Sequence, residues 1–179
     1  MDKNQNHNQL LMTSYQNTDR QLMSPIQSGF NLQVLSMSMK DIVNIALVDK
    51  PVSLFKSYKQ EEEKTIDILM LMLLKFQDFF NCKSKMDKSQ LVETAHLVIH
   101  KFRHLNFYDI GMCLKEAKMN EKIYDRIDGN MILEWLMKYD ITRTGMIVTK
   151  RQEQDRQNNN DCKNLAERTS IQTLKDFLS

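Results

Sequence analysis

Three histidines, His96, His100 and His104, recur at i, i+4 and i+8 along one helical segment. Imidazoles one turn apart project from the same helix face and can share a Zn²⁺ ion. On a helical wheel the three fall opposite the apolar stripe of that segment, on its water-facing side. No Glu follows in the H-E-x-x-H sense, so a third ligand would have to be Cys113 or a carboxylate brought in by folding. The expectation is a solvated polar face that titrates near neutral pH, without metal. Asp125 and Asp128, in Tyr124-Asp125-Arg126-Ile127-Asp128-Gly129, resemble the start of a calcium loop. No ligands follow at EF-hand spacing, and Asp128 reads instead as a helix cap. No serine sits in a nucleophile-elbow pattern, and Cys113 reads as a small buried residue. No catalytic residue and no cofactor are therefore assigned. The chain reads as a non-enzyme.

A second constellation mixes bases with aromatics. Lys115, Lys118, Lys122 and Arg126 lie near Tyr124, Lys138, Tyr139 and Arg143 follow, and Lys150, Arg151 and Arg156 extend the set. Spaced cations contact phosphates and an aromatic ring can stack on an unpaired base. Glu116, Glu121, Asp125, Glu134 and Asp140 interleave, so the local field is only mildly positive. The set reads as a nucleic-acid face or as an ordinary charged helix surface; within it we take Lys115, Lys118, Lys122, Tyr124, Arg126, Lys138 and Arg143 as candidate DNA contacts. Trp135 reads as core. Near the C-terminus, Ile171, Leu174 and Leu178 have the i, i+3, i+7 spacing of a helix laid in a partner's groove, with Phe177 alongside. The same segment could equally pack on the protein's own bundle.

The elements that would position these residues are helical throughout. Of 179 residues, 41% are hydrophobic, and 4 Gly and 2 Pro are too few for a turn-rich β-sandwich or barrel. Twenty-five basic against 23 acidic residues give a net charge of +2, which forces neither a nucleic acid nor a membrane as partner. Cysteines at 82, 113 and 162 form no CxxC pair and read as reduced thiols. No basic-then-apolar leader opens the chain, and the longest apolar run, Ile68 to Leu74, is far short of the roughly 20 residues of a membrane span. The expectation is a cytoplasmic protein without a membrane partner.

Residues 1–38, rich in Asn, Gln, Ser and Met, read as a disordered polar arm. A core domain over 39–150 begins with a short helix capped by Asp41, followed by one opened by Pro51. Glu61-Glu62-Glu63 starts the next helix, apolar on nearly all sides from Ile66 to Phe80, Phe79 included; this is the candidate bundle centre. Asp87 with Gln90, and Asn106 with Asp109, have capping-box spacing, and Ile127 and Ile132 flank the Asp128 cap as a hydrophobic staple. The segment after Tyr139 is either continued helix or a turn at Gly145. Residues 151–179 read as a polar stretch, helical or linker, followed by an amphipathic C-terminal helix. The fold class is thus all-α, a bundle of five to seven helices.

The stretch from about Met86 to Arg143 resembles a family of small helical proteins of phages, plasmids and other mobile elements of Bacteroides-type bacteria. The pieces are Gln90-Leu91, Ala95-His96-Leu97-Val98-Ile99, Leu105-Asn106-Phe107-Tyr108-Asp109-Ile110, Ala117-Lys118, Ile123-Tyr124-Asp125-Arg126-Ile127-Asp128-Gly129, Trp135-Leu136 and Tyr139-Asp140 with Arg143. Where members carry a Gly-Xaa-Tyr-Gly turn before Arg-Ile-Asp, this chain reads Asn120-Glu121-Lys122-Ile123-Tyr124-Asp125. The layout is also similar to that of phage helicase-loader proteins. What these resemblances imply is an accessory factor of phage or mobile-element DNA metabolism, a replication-associated adaptor whose partner would be a replicative helicase or another phage protein. The alternative expectation is an interaction or assembly module that does not touch DNA.

Overall fold

A computed structural model describes residues 33–123 and 125–178, with side chains through residue 160. Among the described residues the chain is all-α and contains no strand. A helical turn at 33–36 is followed by α1 (Met39–Val48), α2 (Leu54–Gln60), α3 (Glu62–Asp78), α4 (Lys88–Lys101), α5 (Phe107–Asn120) and α6 (Gly129–Leu178). Helix α2 packs on α3 and α4, α3 also packs on α4 and α5, and α1 lies against α5. The first compact unit ends at Asp140, and Ile141–Ser179 forms the second.

Side-chain caps set most helix starts. Ser38, not Asp41, caps α1: its hydroxyl accepts from the Asp41 N–H, and Asp41 accepts in return from the Ser38 N–H at 2.7 Å. Those hydrogen bonds, the backbone one foremost, hold the Asp41 carboxyl below its ordinary pKa. Ser53, not Pro51, caps α2. Asp87 with Gln90 and Asn106 with Asp109 form the expected capping boxes. Asp128 accepts from the Met131 N–H at 3.0 Å, and Ile127 and Ile132 are both buried.

The core is one cluster centred on α3, α4 and α5, with Ile68, Leu69, Leu73, Phe76, Ala95, Ile99, Leu105 and Ile110 each 1% exposed or less. Trp135 packs edge-on to Phe76 at 5.6 Å and belongs to this cluster, as its sequence context implied. Of the polar arm expected over 1–38, residues 1–32 lie outside the described residues and 33–38 are packed on the core. Val34 is 3% exposed within the core, and the Lys115 ammonium donates to the Met37 carbonyl, tying 33–38 to α5. Gly145 and the polar residues 151–160 are helical, so α6 runs through both.

Candidate nucleic-acid interface

Two turns that are far apart in sequence meet at one end of the first unit. The first joins α3 to α4. Its entrance is fixed by Gln77, a buried side chain whose amide donates to the Met86 carbonyl (3.2 Å) while its oxygen accepts from the Met86 N–H (3.1 Å). Satisfying both backbone groups from one buried amide locks the loop at low cost. The second turn joins α5 to α6. The Ser84 N–H donates to the Asp125 carbonyl and the Ile127 N–H donates to the Ser84 carbonyl, both at 3.1 Å. This isolated parallel bridge pairs Ser84 with Arg126. It gathers Lys83 and Lys85 from one turn with Lys122 and Arg126 from the other, all of them exposed.

The cations are only lightly engaged. Lys85 pairs with Asp78 at 3.0 Å and Arg126 with Asp128 at 3.2 Å. Exposed pairs of this kind contribute about 0–1 kcal/mol and exchange readily for a phosphate. Beside them, α3 ends at Asp78 and the chain leaves the helical path. Phe80 takes the inward position against Phe76 at 5.2 Å, and Phe79 is left 61% exposed. The Lys118 ammonium lies over the Phe79 ring at 4.9 Å and over Phe76 at 5.8 Å. Burial pushes the Lys118 pKa down from the ordinary lysine value, which marks an ammonium that has given up part of its water to sit on aromatic rings.

The other candidate contacts fall elsewhere. Lys115 is occupied by Met37 and, with Lys118, Lys75, Val34, Leu35 and Met72, lines an open pocket beside the 33–36 turn. Lys138 is exposed on α6, but nine residues into the helix puts it about 14 Å along the axis from the turn end. Arg143 is 7% exposed, so its guanidinium is not presented to solvent as a phosphate contact would require. Tyr124 lies outside the described residues. Ile171, Leu174, Phe177 and Leu178 lie on α6, with side chains outside the described part.

His100 and His104 are exposed, as expected, and His96 is half-buried, but all three have partners. His96 packs edge-on to Tyr58 (6.1 Å), and His100 packs edge-on to Tyr58 (5.6 Å) and Phe55 (6.3 Å), so this face of α4 meets the aromatics of α2. Helix α4 ends at Lys101, and His104, beyond it, bonds Asp140 at 2.7 Å. The three imidazoles therefore do not share one helix face. Among the described residues no group of three His, Cys, Asp or Glu side chains could hold a metal ion. Cys113 is buried, and burial pushes its thiol far above the ordinary range, which suits a packed residue rather than a nucleophile.

The residues that sequence reasoning missed are Lys83, Lys85 and Phe79. The first two read only as turn residues, since nothing local signals that their turn pairs with 122–127. Phe79 continued the apolar periodicity of α3; the signal against a core position was the polar run Asn81-Cys82-Lys83-Ser84-Lys85, which ends the helix just before it could be buried. Comparison with known proteins finds no matching family, no matching curated protein and no matching solved structure. No described helix is long and apolar enough to cross a membrane.

Proposed function

We propose that this protein is a non-enzymatic accessory factor of DNA metabolism in a phage or mobile element, an adaptor that holds DNA at its paired turns while binding a protein partner. The observation that carries the DNA contact is the Ser84–Arg126 bridge, because it joins two turns into one surface with four exposed cations, Lys83, Lys85, Lys122 and Arg126, set among the exposed Glu121 and Asp125. The setting in phage or mobile-element replication, with a replicative helicase or another phage protein as partner, rests on the resemblance over Met86 to Arg143. The test is fluorescence anisotropy of labelled oligonucleotides with the full chain at low salt. Salt-sensitive binding is expected, and absence of any binding, with no replication protein recovered in a pull-down, overturns the reading.

A second reading, an assembly module without DNA contact, is favoured by Met137, Ile141 and Val148, which are exposed on α6 at 46%, 71% and 47%. Exchanging Ile141 and Val148 for Ser distinguishes the two. A DNA-binding unit keeps its oligonucleotide affinity, whereas an assembly adaptor loses its partner.

A further inference from the structure

We propose that Phe79 is a stacking platform for an unpaired base, so that the nucleic acid held at the paired turns is single-stranded. The inference rests on the DNA-binding reading above and specifies its ligand. Three observations carry it. Among the described residues Phe79 is the aromatic that stands among the exposed large hydrophobics, at 61%, just past the end of α3. Its ring is nevertheless held in place: Phe80 stands perpendicular to it (5.0 Å, 86°), and Lys118 sits over it at 4.9 Å. The chain also carries Lys75 one turn before it on α3 and the exposed Lys83 and Lys85 in the turn that follows it.

A fixed, exposed ring with an ammonium over it, in a segment that carries further exposed lysines, fits a ligand that offers both a π-face and closely spaced anions. Single-stranded nucleic acid has that chemistry, with a free base face and a phosphate at every nucleotide. A duplex does not, since each base face is already covered by its neighbour and only groove edges and phosphates remain. An apolar protein groove would accept the ring but would have to desolvate the Lys118 ammonium over it.

The test uses the full chain with a labelled oligothymidylate of about 15 nucleotides and a duplex of equal length at low salt. The single strand is expected to bind more tightly than the duplex. Phe79→Ala should weaken single-strand binding about tenfold, Phe79→Tyr should restore it, and duplex affinity should stay unchanged. An oligonucleotide carrying 5-iodouracil should photocrosslink to Phe79, as mapped by peptide mass spectrometry. Because Phe79 is exposed, its variants should keep the wild-type unfolding midpoint. Equal or tighter duplex binding, an affinity within twofold for Phe79→Ala, or crosslinking confined to other residues overturns this inference while salt-sensitive binding keeps the DNA reading. No oligonucleotide binding at low salt overturns both.

Discussion

Asp109 gives the sharpest prediction about what holds the bundle together. Its carboxylate is fully buried and joins two elements: one oxygen accepts from the Asn106 N–H at 3.0 Å, closing the α5 capping box, and the other accepts from the Tyr139 hydroxyl of α6 at 3.0 Å. Asn106 and Tyr139 are themselves 4% and 3% exposed, so neither donor can turn to water if the carboxylate is removed. A buried donor left without its partner costs about 1–3 kcal/mol, and bonds to a charged acceptor lie in the upper part of that range. Asp109→Ala should therefore destabilise the protein by about 3–5 kcal/mol, and Tyr139→Phe by about 1–2 kcal/mol. The two share a bond, so the double variant should fall short of their sum by at least about 1 kcal/mol. Urea unfolding followed by fluorescence measures this directly, because Trp135 is the single tryptophan and lies one turn before Tyr139. A loss under about 1 kcal/mol for Asp109→Ala, or strict additivity in the cycle, would refute the assignment of Asp109 as the tie between α5 and α6.

Three further outcomes are expected. A Cβ at Gly129 would collide with the Thr94 hydroxyl oxygen and come within 3.4 Å of the Thr94 Cβ, so Gly129→Ala should cost about 1–3 kcal/mol in urea unfolding, and Thr94→Ala in the same chain should recover most of it. Burial raises the Glu116 pKa above the ordinary glutamate value, so just above that value the folded state holds a proton that the unfolded chain has released. Stability then falls as pH rises through this window; Glu116→Gln should raise the thermal midpoint near pH 7 and lose that advantage near pH 4. In the native protein a maleimide should label Cys82, which is partly exposed, well before Cys113, whose thiol is buried and held protonated, as read by peptide mass spectrometry.

The helices could be read in the sequence because their signals are local. Capping boxes at Asp87 and Asn106 and the Asp128 staple need only three or four residues to declare themselves, and the structure has all of them. Starts set by a serine one turn earlier were harder to place. Asp41 looked like a cap because it is the acidic half of a box whose other half, Ser38, sits in a polar, Ser-rich stretch. The Ser84–Arg126 pairing joins turns some forty residues apart in the chain, and periodicity carries no information about such a meeting. Among the described candidate DNA contacts, Lys118, Lys122 and Arg126 lie at the paired-turn end and Lys115, Lys138 and Arg143 do not. The wheel put the histidines on the outer side of the helix, and His100 and His104 are exposed while His96 is half-buried. A wheel does not show that Tyr58 and Phe55 of α2 pack edge-on to that face.

The central claim, that the paired turns hold nucleic acid by charge, is tested most directly by the salt dependence of oligonucleotide binding. If Lys83, Lys85, Lys122 and Arg126 each neutralise a phosphate of a single strand, log K should fall against log salt with a slope of about −3. Between about 50 and 200 mM salt this amounts to roughly fiftyfold in affinity. Exchanging Lys83 and Lys122 together for Gln should flatten the slope by about 1.4 while leaving the unfolding midpoint in place. A slope that does not change in that double variant, or binding indifferent to salt, would contradict the account.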